Sequence, residues 1–144
     1  MNEAKKYSVL IVDDERTNIM VLTSVLSQEY TIYAAKSGQD GLEAAAEHLP
    51  DVILLDILMP DMDGYEVLAA LKASDKTREI PVIIATALDS NRDEAKGLAL
   101  GAADYISKPF SPAIVKLRIQ NQVKMLNYID TIKKLTCDRP TEGQ

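Results

Sequence analysis

The stretch DVILLDILMPDMDGYE, residues 51–66, decides the fold of this chain. Its continuous apolar run at residues 52–55 predicts a short strand that is buried on both faces. Asp56 follows that run directly, and a turn-forming segment then leads to Gly64, where a helix is predicted to begin. A buried strand followed by a helix is the repeating unit of a parallel α/β sheet.

The same unit recurs on both sides of this stretch. Further apolar runs lie at residues 7–12, 30–34, 81–85 and 104–106. Helical patterns follow at about residues 15–28, 38–49, 64–73, 91–100 and from 112 onwards. Five strand–helix units predict a doubly wound (βα)5 α/β fold, with a five-stranded parallel sheet and helices on both faces. In such sheets, ligands bind at the carboxyl ends of the strands.

Charged and polar side chains follow four of the predicted strands at this edge. They are Asp13 and Asp14 after the first strand, Asp56 after the third, Thr86 after the fourth and Lys108 after the fifth. Three neighbouring carboxylates repel one another unless a cation joins them. Mg²⁺ prefers oxygen donors of this kind, whereas zinc sites use Cys or His, which this group lacks. The sequence therefore predicts a magnesium site.

Asp56 is the candidate nucleophile of this edge. A carboxylate can attack phosphorus to form an acyl phosphate. Lys108 and Thr86 are then placed to stabilise the phosphoryl oxygens by charge and by hydrogen bonding. Taken singly, each residue has an ordinary structural explanation, such as a helix cap or a surface lysine. Their occurrence together at successive strand ends favours the functional interpretation.

Four segments resemble the response-regulator receiver family. They are VLIVDDE at 9–15, DVILLDILMPDMDGYE at 51–66, VIIATA at 82–87 and GAADYISKPF at 101–110. The resemblance covers about residues 6–125. It implies the flavodoxin-like strand order 2-1-3-4-5 and a role in two-component signalling. It also implies a cis peptide bond between Lys108 and Pro109.

The resemblance assigns a role to each residue of the candidate site. Asp56 would accept a phosphoryl group from the phosphohistidine of a sensor histidine kinase or of a histidine phosphotransfer protein. Asp14, Asp56 and the backbone carbonyl of Leu58 would bind Mg²⁺ directly, and Asp13 would do so through water. Lys108 would pair with the phosphoryl oxygens.

The resemblance also implies a conformational switch. Thr86 would move towards the phosphoryl group and Tyr105 would turn inward behind it, which would remodel the surface formed by the fourth helix, fifth strand and fifth helix. Leu58 and Leu88 would flank the phosphoryl group. Because both are apolar and cannot orient an attacking water, we expect slow self-dephosphorylation.

Charge and hydropathy restrict the partners. The chain of 144 residues has a net charge of −6. Residues 1–111 carry 10 basic and 19 acidic residues, whereas residues 112–144 carry 6 and 3. An acidic body argues against direct nucleic-acid binding. Because the sequence also shows no signal peptide and no apolar stretch of membrane-spanning length, we expect a cytoplasmic protein without a membrane partner.

Three other functions compete with this interpretation. A haloacid-dehalogenase phosphatase needs a second aspartate two residues after the nucleophile, where this chain has Leu58. A nucleotide-binding enzyme needs a glycine-rich loop after the first strand, which reads DDERTN here. A degenerate receiver that acts as a non-phosphorylated docking or dimerisation module is the remaining alternative. We expect no enzymatic activity beyond self-phosphorylation and self-dephosphorylation at Asp56.

The last predicted helix is longer than a receiver needs. Its apolar stripe comprises Ile119, Val123, Leu126, Ile129 and Ile132, and the pattern continues to about Leu135. We therefore divide the chain into a receiver domain at 1–125 and a helical extension with a polar tail at 126–144. The extension could lead into an output domain C-terminal to it, form a homodimer, or remain a solvated overhang.

Overall fold

The computed structural model describes residues 6–86 and 91–138, so Leu88 lies outside the described residues. The strands are β1 (Ser8–Val12), β2 (Thr31–Ala35), β3 (Val52–Asp56), β4 (Val82–Thr86) and β5 (Asp104–Ser107). The helices are α1 (Arg16–Leu26), α2 (Gly38–His48), α3 (Gly64–Ala73), α4 (Asn91–Ala99) and α5 (Pro112–Asp138).

The strands form one parallel sheet in the order β2-β1-β3-β4-β5, which confirms the predicted fold. Buried side chains of α1 and α5 cover one face, and those of α2 and α3 cover the other. β1, β3 and β4 are central strands whose residues are almost all buried, as their continuous apolar runs predicted. The sheet therefore brings the carboxyl ends of β1, β3, β4 and β5 to one edge.

β3 and β4 each extend one residue beyond the predicted end. Asp56 pairs with Ala85 of β4, and Thr86 pairs with Ser107 of β5, so both polar residues belong to the parallel ladder. The ladder continues past Asp56, since the backbone N–H of Ile57 donates to the Ala85 carbonyl at 3.2 Å. The backbone of the central sheet thus fixes the positions of Asp56 and Thr86.

α3 begins with a capping box. The Asp63 side chain accepts a hydrogen bond from the backbone N–H of Glu66, and the Glu66 side chain accepts one from the backbone N–H of Asp63. Gly64 follows at the first helical position, where a Cβ would collide with the backbone carbonyl oxygen of Asp56. The close approach of the loop to the end of β3 therefore requires glycine at this position.

α5 is about 40 Å long, and its C-terminal part extends beyond the edge of the sheet at which the strands begin. Val115 and Ile119 are fully buried, and Val123 and Leu126 still pack against the core. The Tyr7 hydroxyl donates to Asn127 Oδ1 at 2.7 Å. Contacts with the body therefore continue past residue 125, and the domain boundary there stays a prediction.

Within the described part of the chain, no helix combines the length and the apolar character that a membrane crossing would require.

Candidate functional site

Asp56 lies at the floor of the site, at the carboxyl end of β3. Only 2% of its surface is exposed. Lys108 Nζ donates to Asp56 Oδ1 at 2.9 Å, and the backbone N–H of Leu58 donates to the same carboxylate. The peptide bond between Lys108 and Pro109 is cis, as the resemblance implied. The predicted nucleophile and the predicted cation are therefore in direct contact, although 52 residues separate them.

Asp13 is the second buried carboxylate, also 2% exposed. Its Oδ1 accepts a hydrogen bond from the backbone N–H of Glu15 at 2.9 Å, and its Oδ2 accepts one from Asn18 Nδ2 at 3.2 Å. Lys108 Nζ lies 3.5 Å from the same Oδ2. Asn18 was not among the predicted site residues, because its only signal in the sequence is its position in the first turn of α1, next to the carboxyl end of β1.

Asp14 completes the acidic group from its solvent-exposed side. Each of Asp13, Asp14 and Asp56 places one carboxylate oxygen within 4.8 Å of the other two. Three carboxylates next to a single lysine leave negative charge at the site, and carboxylate oxygens are the donors that a hard divalent cation prefers. The residues present therefore fit Mg²⁺.

A pocket of about 260 Å³ opens over this group. It is lined by Asp14, Glu15, Asp56, Leu58 and Lys108. Leu58 is 53% exposed, so its side chain stands at the rim rather than in the core. The pocket gives a ligand access to the one edge of an otherwise buried Asp56.

The surroundings of the site raise the pKa values of both Asp56 and Lys108. Burial raises the pKa of the Asp56 carboxyl to about 6; the Lys108 hydrogen bond opposes this shift, and the charge of Asp13 adds to it. Burial alone would lower the pKa of Lys108, but the hydrogen bond and charge of Asp56, helped by Asp13, hold it above its usual value. Lys108 is therefore a permanent cation at neutral pH.

The two predicted switch residues lie on neighbouring strands. Thr86 is buried at the end of β4, adjacent in sequence to Ala85, which pairs with Asp56. Tyr105 pairs with Ile84, two residues before Thr86, so Tyr105 and Thr86 project from the same face of the sheet. Tyr105 is half-buried and lines a surface pocket of about 260 Å³ beside Ile114 and Arg118 of α5.

Comparison with known proteins gives consistent results over nearly the whole chain. A family model described as "Response regulator receiver domain" matches residues 9–120. A Vibrio cholerae protein named "Probable cyclic di-GMP phosphodiesterase" is 41% identical over 124 residues, covering 86% of this chain and 28% of the relative. The Caulobacter vibrioides "Response regulator PleD" is 39% identical over 127 residues, covering 88% of this chain and 28% of the relative.

Solved structures show the same architecture. The chemotaxis protein CheY4 of Vibrio cholerae superposes with a TM-score of 0.78 at 28% identity, covering 81% of this chain and 98% of CheY4. The chain thus spans a whole receiver structure, but little more than a quarter of the two curated relatives. Because the family model covers more than three quarters of the sequence and the fold agrees, the chain belongs to the response regulator receiver domain family.

Proposed function

We propose that this chain is a phosphorylation-activated receiver in which Asp56 is the phosphoacceptor. One observation supports this proposal above all. A buried carboxylate with a raised pKa stands at the floor of an open pocket, 2.9 Å from a lysine and beside two further carboxylates. A structural ion pair would need neither the pocket nor the two additional carboxylates, which increase the repulsion around Asp56.

The reaction transfers a phosphoryl group between two proteins. The free Asp56 carboxylate oxygen attacks phosphorus, and the P–N bond of the donor phosphohistidine breaks. The imidazole leaves with the electron pair of that bond, and the product is an aspartyl phosphate. Lys108 would need only a small movement to donate hydrogen bonds to the phosphoryl oxygens, because its Nζ already contacts Asp56 Oδ1.

The acidic group would hold the metal. We assign Asp14, Asp56 and the Leu58 backbone carbonyl as direct Mg²⁺ ligands and Asp13 as a ligand through water. When bound, Mg²⁺ would neutralise charge on the transferring phosphoryl group. Asn18 and the Glu15 backbone N–H keep the Asp13 carboxylate oriented, since they occupy one lone pair on each of its oxygens.

The output would be a change at the surface near Tyr105. The Thr86 hydroxyl donates to a phosphoryl oxygen once Asp56 is modified, which draws Thr86 towards the site. Tyr105 lies on the same face of the sheet as Thr86 and lines a pocket with Ile114. Inward rotation of Tyr105 would therefore change the surface between β5 and the start of α5.

We propose that a sensor histidine kinase or a histidine phosphotransfer protein is the donor, in the cytoplasm. The named relatives are more than three times as long as the matched segment, and the name of one describes a cyclic di-GMP phosphodiesterase. Phosphorylation of Asp56 is therefore expected to control an output module, with no catalysis by this chain beyond its own phosphorylation and dephosphorylation.

The test is incubation with acetyl phosphate, with Mg²⁺ or with EDTA, followed by intact-protein mass spectrometry. We expect one added phosphoryl group that requires Mg²⁺. The gain should disappear in Asp56→Ala and persist in Asp61→Asn, which removes a nearby exposed carboxylate. A protein that gains no phosphoryl group under any condition would instead be a docking module, and the proposal would be wrong.

A further inference from the structure

The carboxylate of Glu15 is a feature of the pocket over Asp56 that phosphoryl transfer itself does not require. Glu15 is exposed and occupies the N-cap position of α1, where its side chain makes no capping hydrogen bond. Serine, threonine, aspartate and asparagine are the residues that stabilise a helix from this position. Capping therefore does not account for a glutamate here.

A single amide holds the Glu15 side chain beside the site. Asn18 Nδ2 donates to Glu15 Oε1 at 2.7 Å and to Asp13 Oδ2 at 3.2 Å. A side-chain amide nitrogen carries two N–H groups, so Asn18 can donate to both carboxylates at once. The two acceptor oxygens are thereby held within about 6 Å of each other, although their like charges repel.

This arrangement brings a fourth carboxylate to the site. Glu15 adds its charge to those of Asp13, Asp14 and Asp56, and the Lys108 ammonium opposes them. A bound Mg²⁺ would offset two of the three excess negative charges of this group. The pocket through which a phosphodonor reaches Asp56 would therefore remain negative.

A pocket of this charge discriminates between phosphodonors. Phosphodonors are anions, and the repulsion that each meets grows in proportion to its charge. Acetyl phosphate is a dianion at neutral pH, whereas phosphoramidate carries a single net negative charge. We propose that Glu15 is a specificity-determining residue that disfavours highly charged phosphodonors, and that Asn18 is the positioning residue that holds it over the pocket. This inference rests on the proposed function, since it requires Asp56 to accept a phosphoryl group.

The test compares the initial rates of phosphorylation by acetyl phosphate and by phosphoramidate, both at saturating Mg²⁺, by intact-protein mass spectrometry. Glu15→Gln removes the charge and keeps an oxygen that can accept from Asn18. We expect a roughly two- to fivefold faster reaction with acetyl phosphate, the range typical of interactions between exposed charges. With phosphoramidate the gain should be about the square root of that factor, because the charge is half as large. The ratio of the two rates is the readout, since a loss of stability or of metal affinity would slow both reactions alike.

Two further variants separate the roles of position and charge. Glu47→Gln removes the same charge from an exposed position near the end of α2, at the opposite edge of the sheet, and should leave the ratio unchanged. In an Asn18→Ala background, repulsion from Asp13 can move the freed Glu15 side chain away. Glu15→Gln should then change the ratio less than it does in the parent. Added salt should also reduce the difference between Glu15→Gln and the parent, because it screens exposed charges.

Each result has a distinct meaning. An unchanged ratio in Glu15→Gln would overturn the inference and leave Asp56 as the phosphoacceptor. An equal change in Glu47→Gln would overturn it as well, since the overall charge of the protein would then be the cause. An undiminished effect of Glu15→Gln in the Asn18→Ala background would overturn the positioning role of Asn18. A parent protein that accepts no phosphoryl group from either donor would contradict the proposed function itself, and this inference with it.

Discussion

Ionisation of the buried Asp56 carboxyl reduces the stability of the folded chain, so this stability depends on pH. Its carboxyl has a pKa of about 6 in the folded chain, against 3.8 as the ordinary value. The folded state therefore binds the proton more tightly than the unfolded state between these two pH values. Stability is accordingly lost as pH rises from about 4 to about 6, and the loss is complete above pH 6.

Asp56→Asn should remove this dependence. In the absence of divalent cations, we expect the variant to be more stable than the parent at pH 7 by about 1–3 kcal/mol, and equally stable near pH 4. Urea unfolding at pH 4, 5, 6 and 7 measures the difference. Asp61→Asn is the control, since it removes an exposed carboxylate and should run parallel to the parent. A constant difference between Asp56→Asn and the parent at all pH values would contradict the assignment.

Leu58 should govern the lifetime of the phosphorylated form. Its side chain lines the pocket and cannot hydrogen-bond a water molecule that attacks the aspartyl phosphate. Leu58→Asn supplies one such hydrogen bond, and about 0.5–1.5 kcal/mol corresponds to roughly twofold to tenfold faster hydrolysis. Loss of the added phosphoryl mass over time measures the rate. Leu58→Met keeps the position apolar and should leave the rate unchanged; a lifetime that does not shorten in Leu58→Asn would exclude this role.

The site shows which residue-level features a sequence can predict. Asp13, Asp14, Asp56, Thr86 and Lys108 were identified because the carboxyl ends of parallel strands must meet at one edge. The contact of Lys108 with Asp13 and the hydrogen bond from Asn18 were not predicted. Both depend on side-chain conformations within a packed cluster, which strand ends and spacing do not determine.

The capping box of α3 ties the loop after Asp56 to a helix end. Asp63→Ala leaves the backbone N–H of Glu66 without its side-chain acceptor and should destabilise the fold by about 1 kcal/mol. Chemical denaturation measures this loss. Asp61→Ala removes the same charge from an exposed position that forms no cap and should change stability by less than about 0.5 kcal/mol. Equal losses in the two variants would show that charge, and not capping, determines the effect.

The strand and helix elements were predicted closely where the apolar pattern was strong. α5 starts at Pro112, where its helical pattern was predicted to begin, and α3 has the predicted bounds Gly64–Ala73. The end of α2 was less predictable. Its cap residue Leu49 has φ 47°, a left-handed conformation that favours glycine, and a leucine gives no signal of it.

At the scale of the whole molecule, one hydrogen bond joins the two ends of the domain. Tyr7 precedes β1, and its hydroxyl donates to Asn127 Oδ1 on α5 across 120 residues of sequence. We expect Tyr7→Phe to destabilise the fold by about 0.5–1.5 kcal/mol and to increase amide exchange in the last turns of α5. Hydrogen-exchange mass spectrometry measures both effects. Tyr128→Phe, which alters an exposed hydroxyl on the same helix, should not alter this exchange; unchanged protection in Tyr7→Phe would contradict the bracing role.

The sheet order was predictable for the whole molecule, but the surface of α5 was not. Five buried runs and right-handed crossovers leave few arrangements of the strands. By contrast, α5 carries apolar residues on two sides, and a pattern alone does not say which side meets the core. The structure separates them, since Val115 and Ile119 are fully buried whereas Tyr128 and Ile132 are largely exposed.

α5 starts four residues after Lys108, at the edge of the sheet where Asp56 lies, and ends beyond the opposite edge. It is therefore a rod about 40 Å long whose first turn lies next to the site around Asp56. A tilt of about 5° at that end moves the far tip by about 3.5 Å over this length. This sideways displacement is about as large as the optimal separation of two carbon atoms in contact, enough to break packing contacts with a neighbour. The length of the helix, and not a large rearrangement of the body, would then determine how far from Asp56 a small tilt displaces the protein surface.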